Sequence, residues 1–285
     1  TRLKNTLLHK YYIAMKFTKR NIIPLLVFVL SFASILRLVK ISVTTSYSSP
    51  IFSALSPVQH RHSHSLLAEK EINFLYDLVS RKSPCKILVF GLETQYSSQI
   101  STINRGGITV FLEDNPAKIK TYNSMSNTIT RIHKVEYQTV ARDAYKILKH
   151  ARQNQKDCYM SATDHRAKHD DLRSNSSRKC KFMSLVTRVP KEVYEVKWDL
   201  VIVDGPEGDK PESPGRMAAI YIAGVLARRS KNKNGTHVLV HDVDRMIEKW
   251  FSWEFLCDTN LVSAKGKFWD FNILPKPNAT TFCPT

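Results

Sequence analysis

The chain has 285 residues, of which 42% are hydrophobic and 10% aromatic, so it is not a disordered polymer and can bury a core of about 200 residues. Its 43 Lys and Arg exceed its 25 Asp and Glu, for a formal net charge of +18, and a basic chain attracts polyanions. The sequence carries no nucleic-acid module signature, which sets nucleic acid aside, and an acidic polysaccharide is among the polyanions that suit the charge.

No acid precedes Glu69, whereas nine Lys and Arg do, so much of the excess lies outside the expected domain. The sequence opens on Thr1, and Met15 is the expected start of translation. Residues 1–20 read as a basic tail. Asn21 to Leu36 is uncharged and mostly apolar, and with the snorkelling Arg37 it predicts a membrane anchor over 21–40. A cleaved signal peptide is the alternative, but no small-residue cleavage site ends the run. Positive flanks stay cytoplasmic, so the C-terminal bulk is expected in a lumen. Sequons at Asn175, Asn234 and Asn278 agree with that side. Residues 41–63 are rich in Ser, Thr and Pro and read as a stem.

The folded domain is expected over 64–275, followed by a short tail, 276–285. Apolar spacing predicts a helix over 64–81. Strands are then predicted at Lys86–Gly91, Thr109–Asp114, Lys134–Gln138, Trp198–Asp204, Thr236–His241 and Lys267–Ile273. Helices are predicted at Ser97–Ile103, Pro116–Tyr122, Ala141–Gln153, Arg216–Arg229 and Asp244–Phe251. Residues 153–180 are polar and read as a surface insertion that Cys158 and Cys180 could staple. Five cysteines without a C-x-x-C pair argue against zinc, and the odd number leaves one thiol over. Continuous apolar strands alternating with helices imply an α/β fold with a mainly parallel sheet covered on both faces.

In such sheets ligands bind where strands end. Gly91 ends the first strand and lets a ligand approach the backbone. Glu113 ends the second about twenty residues on, where an acid accepts hydrogen bonds from a nucleoside ribose. A merely solvated acid is the alternative. Asp204 ends the fourth strand, and His241-Asp242 ends the fifth. Asp204 and Asp242 could hold a divalent cation, and Asp204, His241 and Asp242 are candidate general bases. Arg216 and Arg245 could bind the carboxylate of an acidic sugar or form internal salt bridges. Asp242-Val243-Asp244 also spells a D-x-D, which would suit a metal-dependent glycosyltransferase.

The runs SPCKILVFGL (83–92), GGITVFLED (106–114), WDLVIVDGPEG (198–208), PGRMAAIYIAGVLAR (214–228) and HVLVHDVDRMIEKWFSWEFLC (237–257) resemble the plant glucuronoxylan 4-O-methyltransferase family. Arabinogalactan glucuronic-acid methyltransferases and irregular-xylem proteins are its relatives, and the likeness spans about 65–275. The resemblance implies a class I methyltransferase-like fold, S-adenosyl-L-methionine, a divalent metal cation and a Golgi membrane protein of type II topology. It implies methylation of O-4 on glucuronic acid side chains of xylan. Gly91, Leu92 and Glu113 would then bind the cofactor, and Asp204, His241 and Asp242 would serve catalysis. One departure stands out. The family follows its first strand with Gly-Leu-Gly-His-Asp-Ser, whereas this chain reads Gly91-Leu92-Glu93-Thr94-Gln95-Tyr96. Glu93 is expected to crowd the cofactor and weaken its binding, which keeps a non-catalytic role in xylan assembly as an alternative.

Overall fold

Strand β1 (Lys86–Phe90) shows why the chain layers as it does. Side chains alternate across a strand, so Ile87 and Val89 enter one apolar cluster, while Leu88 and Phe90 enter another. Every residue of β1 after Lys86 is buried, as a strand covered on both faces requires. The computed structural model describes residues 66–125, 130–163, 180, 182–230, 232–275 and 279–283. The expected tail, anchor and stem lie outside the described residues.

Helix α1 (Glu69–Lys82) follows Ala68, whose N–H donates to the Glu71 carboxylate at 2.8 Å. Its Leu75, Leu78 and Val79 cover the Ile87 face of the sheet. After β1 come α2 (Ser97–Ile103), β2 (Ile108–Glu113), α3 (Pro116–Met125) and β3 (Arg131–Lys134). The third strand begins earlier than expected; residues from Glu136 leave the main sheet and pair with Val186–Thr187 in a two-stranded ribbon. Helices α4 (Ala144–Gln153), α5 (Gln155–Thr163) and α6 (Lys191–Glu195) precede β4 (Leu200–Val203). Then come α7 (Met217–Arg229), β5 (Thr236–Val240), α8 (Met246–Phe255), β6 (Leu261–Lys265) and β7 (Phe268–Ile273).

The main sheet runs β3-β2-β1-β4-β5-β7-β6. The first five strands are parallel, and β7 is antiparallel to both its neighbours. This is the expected class I methyltransferase-like α/β sheet with helices on both faces. The chain leaves β1 toward β2 on one side and returns at β4 on the other, so the crevice opens between them. In register, Phe90 lies between Leu112 and Val203, and Val203 beside Val240. The residues that follow these strands therefore meet at one edge.

Candidate active site

At that edge the structure has a cleft of about 420 Å3 whose walls include Gly91, Glu113, Asp204 and Asp242. The sequence expectation placed these four together, and they are together.

The floor is bare backbone. Gly91 has φ +103°, and a Cβ on it would lie 2.9 Å from the Gly205 nitrogen; one on Gly205 would lie 2.6 Å from the Gly91 Cα. Two main chains touch here, so both positions need glycine. Leu92 plays a different part from the one expected. Its side chain is buried, and its N–H donates to Glu113 Oε2 at 2.7 Å, so it positions the acid instead of meeting a ligand in the cleft. Glu113 Oε1 accepts from the Asn115 N–H at 2.8 Å. Burial pushes the Glu113 carboxyl up, with the Asn115 hydrogen bond and the Lys118 charge acting the other way. An ionised carboxylate has about four lone-pair sites, so a pinned Glu113 still has acceptors for two ribose hydroxyls. The bare floor and this acid fit the nucleoside of S-adenosylmethionine.

Glu93 also lines the cleft, without filling it. Its carboxylate pairs with Lys118 of α3. Among the described non-glycine residues, positive φ occurs at Arg188, Asp242 and Cys257, not at Glu93. A side chain at this position therefore costs no backbone strain, and its charge is balanced.

Asp204 is buried and held by three donors. The Tyr96 hydroxyl donates to Oδ2 at 2.7 Å; His241 Nδ1 lies 2.8 Å and Arg216 Nη2 3.2 Å from Oδ1. Burial would raise its pKa, but the His241 hydrogen bond and the Arg216 charge outweigh burial and hold it at about 2. So weak a base, with both oxygens engaged, is not the general base expected at this position. Asp204 instead organises its neighbours.

His241 is corrected as well. Its ring is buried and does not line the cleft. Because the Asp204 carboxylate can only accept, Nδ1 is the donor between them. The ring packs 4.5 Å from Phe268, and Nε2, without a hydrogen-bond partner, lies 3.9 Å from Glu71 Oε2 behind the cleft. His241 fixes Asp204 and is not among the residues that line the cleft.

Arg216 caps α7 and is also buried. Nη2 bridges Asp204 and Asp242, 2.9 Å from Asp242 Oδ2, and Nη1 donates to the His241 carbonyl at 2.8 Å. The internal salt bridge, not a sugar carboxylate, takes its charge. Arg245 sits nearer solvent, with Nη2 3.1 Å from Asp242 and 2.8 Å from Glu248. These contacts bear directly on the expected cation. Ligand atoms of Asp204, His241 and Asp242 do lie within 4.8 Å of one another. Yet the Arg216 guanidinium already stands between the two carboxylates and supplies the charge a metal would bring. A divalent ion there would be pressed against a fixed cation, so these residues do not fit the expected metal site.

Asp242 remains as the expected acid that faces the cleft. It adopts φ 58°, a left-handed conformation that Asp tolerates better than most residues and that marks a constrained position. Sequence reasoning missed Tyr96, Lys118 and Lys267. Lys267 comes from the β6–β7 turn, lines the cleft and lies 3.8 Å from Asp242 Oδ1. The only available signal for Tyr96 was an aromatic in an otherwise polar run.

A family model described as IRX15/IRX15L/GXM matches residues 70–271. Arabinogalactan O-methyltransferase 2 of Arabidopsis thaliana is 36% identical over 235 residues, 82% of this chain and 75% of that protein. Glucuronoxylan 4-O-methyltransferase 2 of the same plant is 36% identical over 217 residues, 75% of this chain and 69% of its own length. Protein IRREGULAR XYLEM 15, also from Arabidopsis thaliana, is 34% identical over 254 residues, 84% and 74% of the two chains.

Proposed function

Because the chain belongs to the IRX15/IRX15L/GXM family, we propose that it is an S-adenosylmethionine-dependent O-methyltransferase acting on O-4 of glucuronic acid side chains of xylan. One observation carries the reading: the pinned Glu113 beside the glycine floor shares a single cleft with the Asp242 carboxylate. The cofactor supplies an electrophilic methyl group on a cationic sulfur. Glu113 accepts hydrogen bonds from its ribose, and Gly91 lets it lie against the backbone. Asp242 faces the cleft with its Oδ2 held by Arg216 and Arg245, while Oδ1 has longer contacts, 3.6 Å to His241 and 3.8 Å to Lys267; through Oδ1 it orients the acceptor hydroxyl and takes its proton as the oxygen attacks. Asp204 acts through others: it holds Arg216, and Arg216 holds Asp242. No step passes through a metal. The non-catalytic alternative was motivated by Glu93, and the Lys118 pair with an unstrained backbone weakens that motive.

The same proposal keeps the domain on the lumenal side of a Golgi membrane, anchored by 21–40. Disulfides Cys158–Cys180 and Cys257–Cys283 support an oxidising compartment.

Methyl transfer from labelled S-adenosylmethionine to glucuronoxylan, with the product sugar identified, tests the reading. Asp242→Asn should lower turnover by about 10²–10⁴-fold while calorimetry shows that S-adenosylhomocysteine, which carries no sulfonium charge, binds as it does to the wild type. A wild-type protein that binds the cofactor but methylates no glucuronic acid would remove the proposal.

A further inference from the structure

The edge that forms the cleft continues past Lys267. Trp269 pairs in register with Val240, the last residue of β5, so it stands at the same carboxyl edge. Its indole packs on Trp253 of α8, with ring centroids 5.5 Å apart and planes inclined by 31°. Helix α8 begins directly after the cleft residue Arg245. Along it Met246, Trp250 and Trp253 recur at helical spacing and share one stripe. Met246 is 60% exposed and Trp253 44%, while Trp250 and Trp269 are half-buried. Lys249 lies over both indoles, its Nζ 5.9 Å from each centroid. An aromatic strip carrying a cation thus leads away from the cleft rim.

The chemistry of the strip selects its occupant. An indole face matches the C–H face of a pyranose ring, and Trp253 is already packed on Trp269, so little side-chain freedom is left to lose on binding. Lys249 argues against an apolar protein partner, which would bury its charge unpaired. A uronate carboxylate would pair with it. We propose that the Trp253–Trp269–Lys249 strip docks the acceptor polysaccharide. Neutral sugar units stack on Trp253, and a uronate neighbouring the one in the cleft meets Lys249. This inference rests on the acidic-glycan reading of the cleft and adds where the rest of the chain lies.

Native affinity electrophoresis of the full chain separates the possibilities. Gels contain either glucuronoxylan or xylan freed of its glucuronic acid. Trp253→Ala should weaken retention about tenfold in both gels, and Lys249→Met in the acidic gel alone. In methyl-transfer assays, Trp253→Ala should raise the KM for polymer about tenfold. The same variant should treat a short oligosaccharide with one glucuronic acid as the wild type does, which also shows that it folds. Unchanged retention of Trp253→Ala, or equal losses on polymer and oligosaccharide, would overturn the docking surface. So would a wild-type self-association that Trp253→Ala abolishes, because the strip would then be a protein interface. A wild type that methylates nothing, yet is retained through Trp253, would leave the surface standing and remove only the catalytic reading.

Discussion

Asp204 looks from the sequence like a reacting group and from the structure like a keystone for three donors. Replacing it with Ala would leave the Arg216 charge half-compensated and the Tyr96 hydroxyl and His241 N–H without their acceptor. Breaking such a buried pair costs about 3–5 kcal/mol, so Asp204→Ala should unfold at distinctly lower denaturant than the wild type. Its acid dependence has a defined sign. The folded pKa of about 2 lies below the ordinary carboxylate value, so the associated stability is complete above about pH 4 and lost as pH falls toward 2. That contribution is about 2 kcal/mol, and Asp204→Asn should lack this acid limb. Equal acid denaturation curves would show that Asp204 is not held as described. Chelator should move none of these curves, since Arg216 already balances the pair.

At the scale of elements, what could be read from sequence was what each segment specifies alone. Strands β1, β2, β4 and β5 are apolar runs bounded by turn residues, and the strand-end residues followed from them. Helix α7 was expected over Arg216–Arg229, and it is buried from Met217 to Arg228, more than the single face a surface helix buries. Its second side is roofed by α8, α5 and Phe282, and no local pattern announces that roof. The expected polar insertion also begins as α5, with Cys158 and Tyr159 in the core. Strand β6 escaped notice because it is an exposed edge strand with no burial alternation. Missing β6 meant missing the turn that delivers Lys267. The Cys158–Cys180 staple was anticipated, whereas Cys257–Cys283 depends on a C-terminal return that sequence does not reveal. That second bridge places Phe282 against Tyr221 and Phe255, at centroid distances of 5.6 and 5.1 Å. Closing a sequence separation of 26 residues restricts the unfolded chain by about 3 kcal/mol. The paired change of Cys257 and Cys283 to Ser should therefore lower stability by about that much in equilibrium unfolding. Cofactor binding at the opposite elements, β1 and β2, should survive wherever the variant remains folded. Loss of binding without loss of stability would mean that the roof shapes the cleft.

Across the whole molecule charge is partitioned. The chain carries a net charge of +18, but seven carboxylates and four cations line the cleft, so its formal balance is negative. The excess of basic charge was plain in the composition. The acidic cleft was not, because its carboxylates are scattered from Glu93 to Asp242 and only the parallel sheet gathers them. From Glu69 onward 34 Lys and Arg still exceed 25 Asp and Glu, an excess that suits an acidic polymer, and a negative cleft suits a cationic sulfonium. The methylated cofactor should accordingly bind more tightly than its neutral thioether product, S-adenosylhomocysteine, and added salt should narrow the gap. Acid should narrow it too. Burial raises the carboxyls of Glu113 and Asp114, so each loses its charge at a higher pH than an ordinary Glu or Asp does. The ionised forms favour the sulfonium, so protonation lowers affinity for S-adenosylmethionine as pH falls from 8 to 5. The thioether has the same ribose and shares the hydrogen-bond part of that loss, but it lacks the charge-dependent part. Calorimetry on both ligands at the two pH values isolates the electrostatic share, and Glu113→Gln should flatten the pH dependence of each. Parallel profiles for the two ligands would show that the negative cleft does not discriminate by charge.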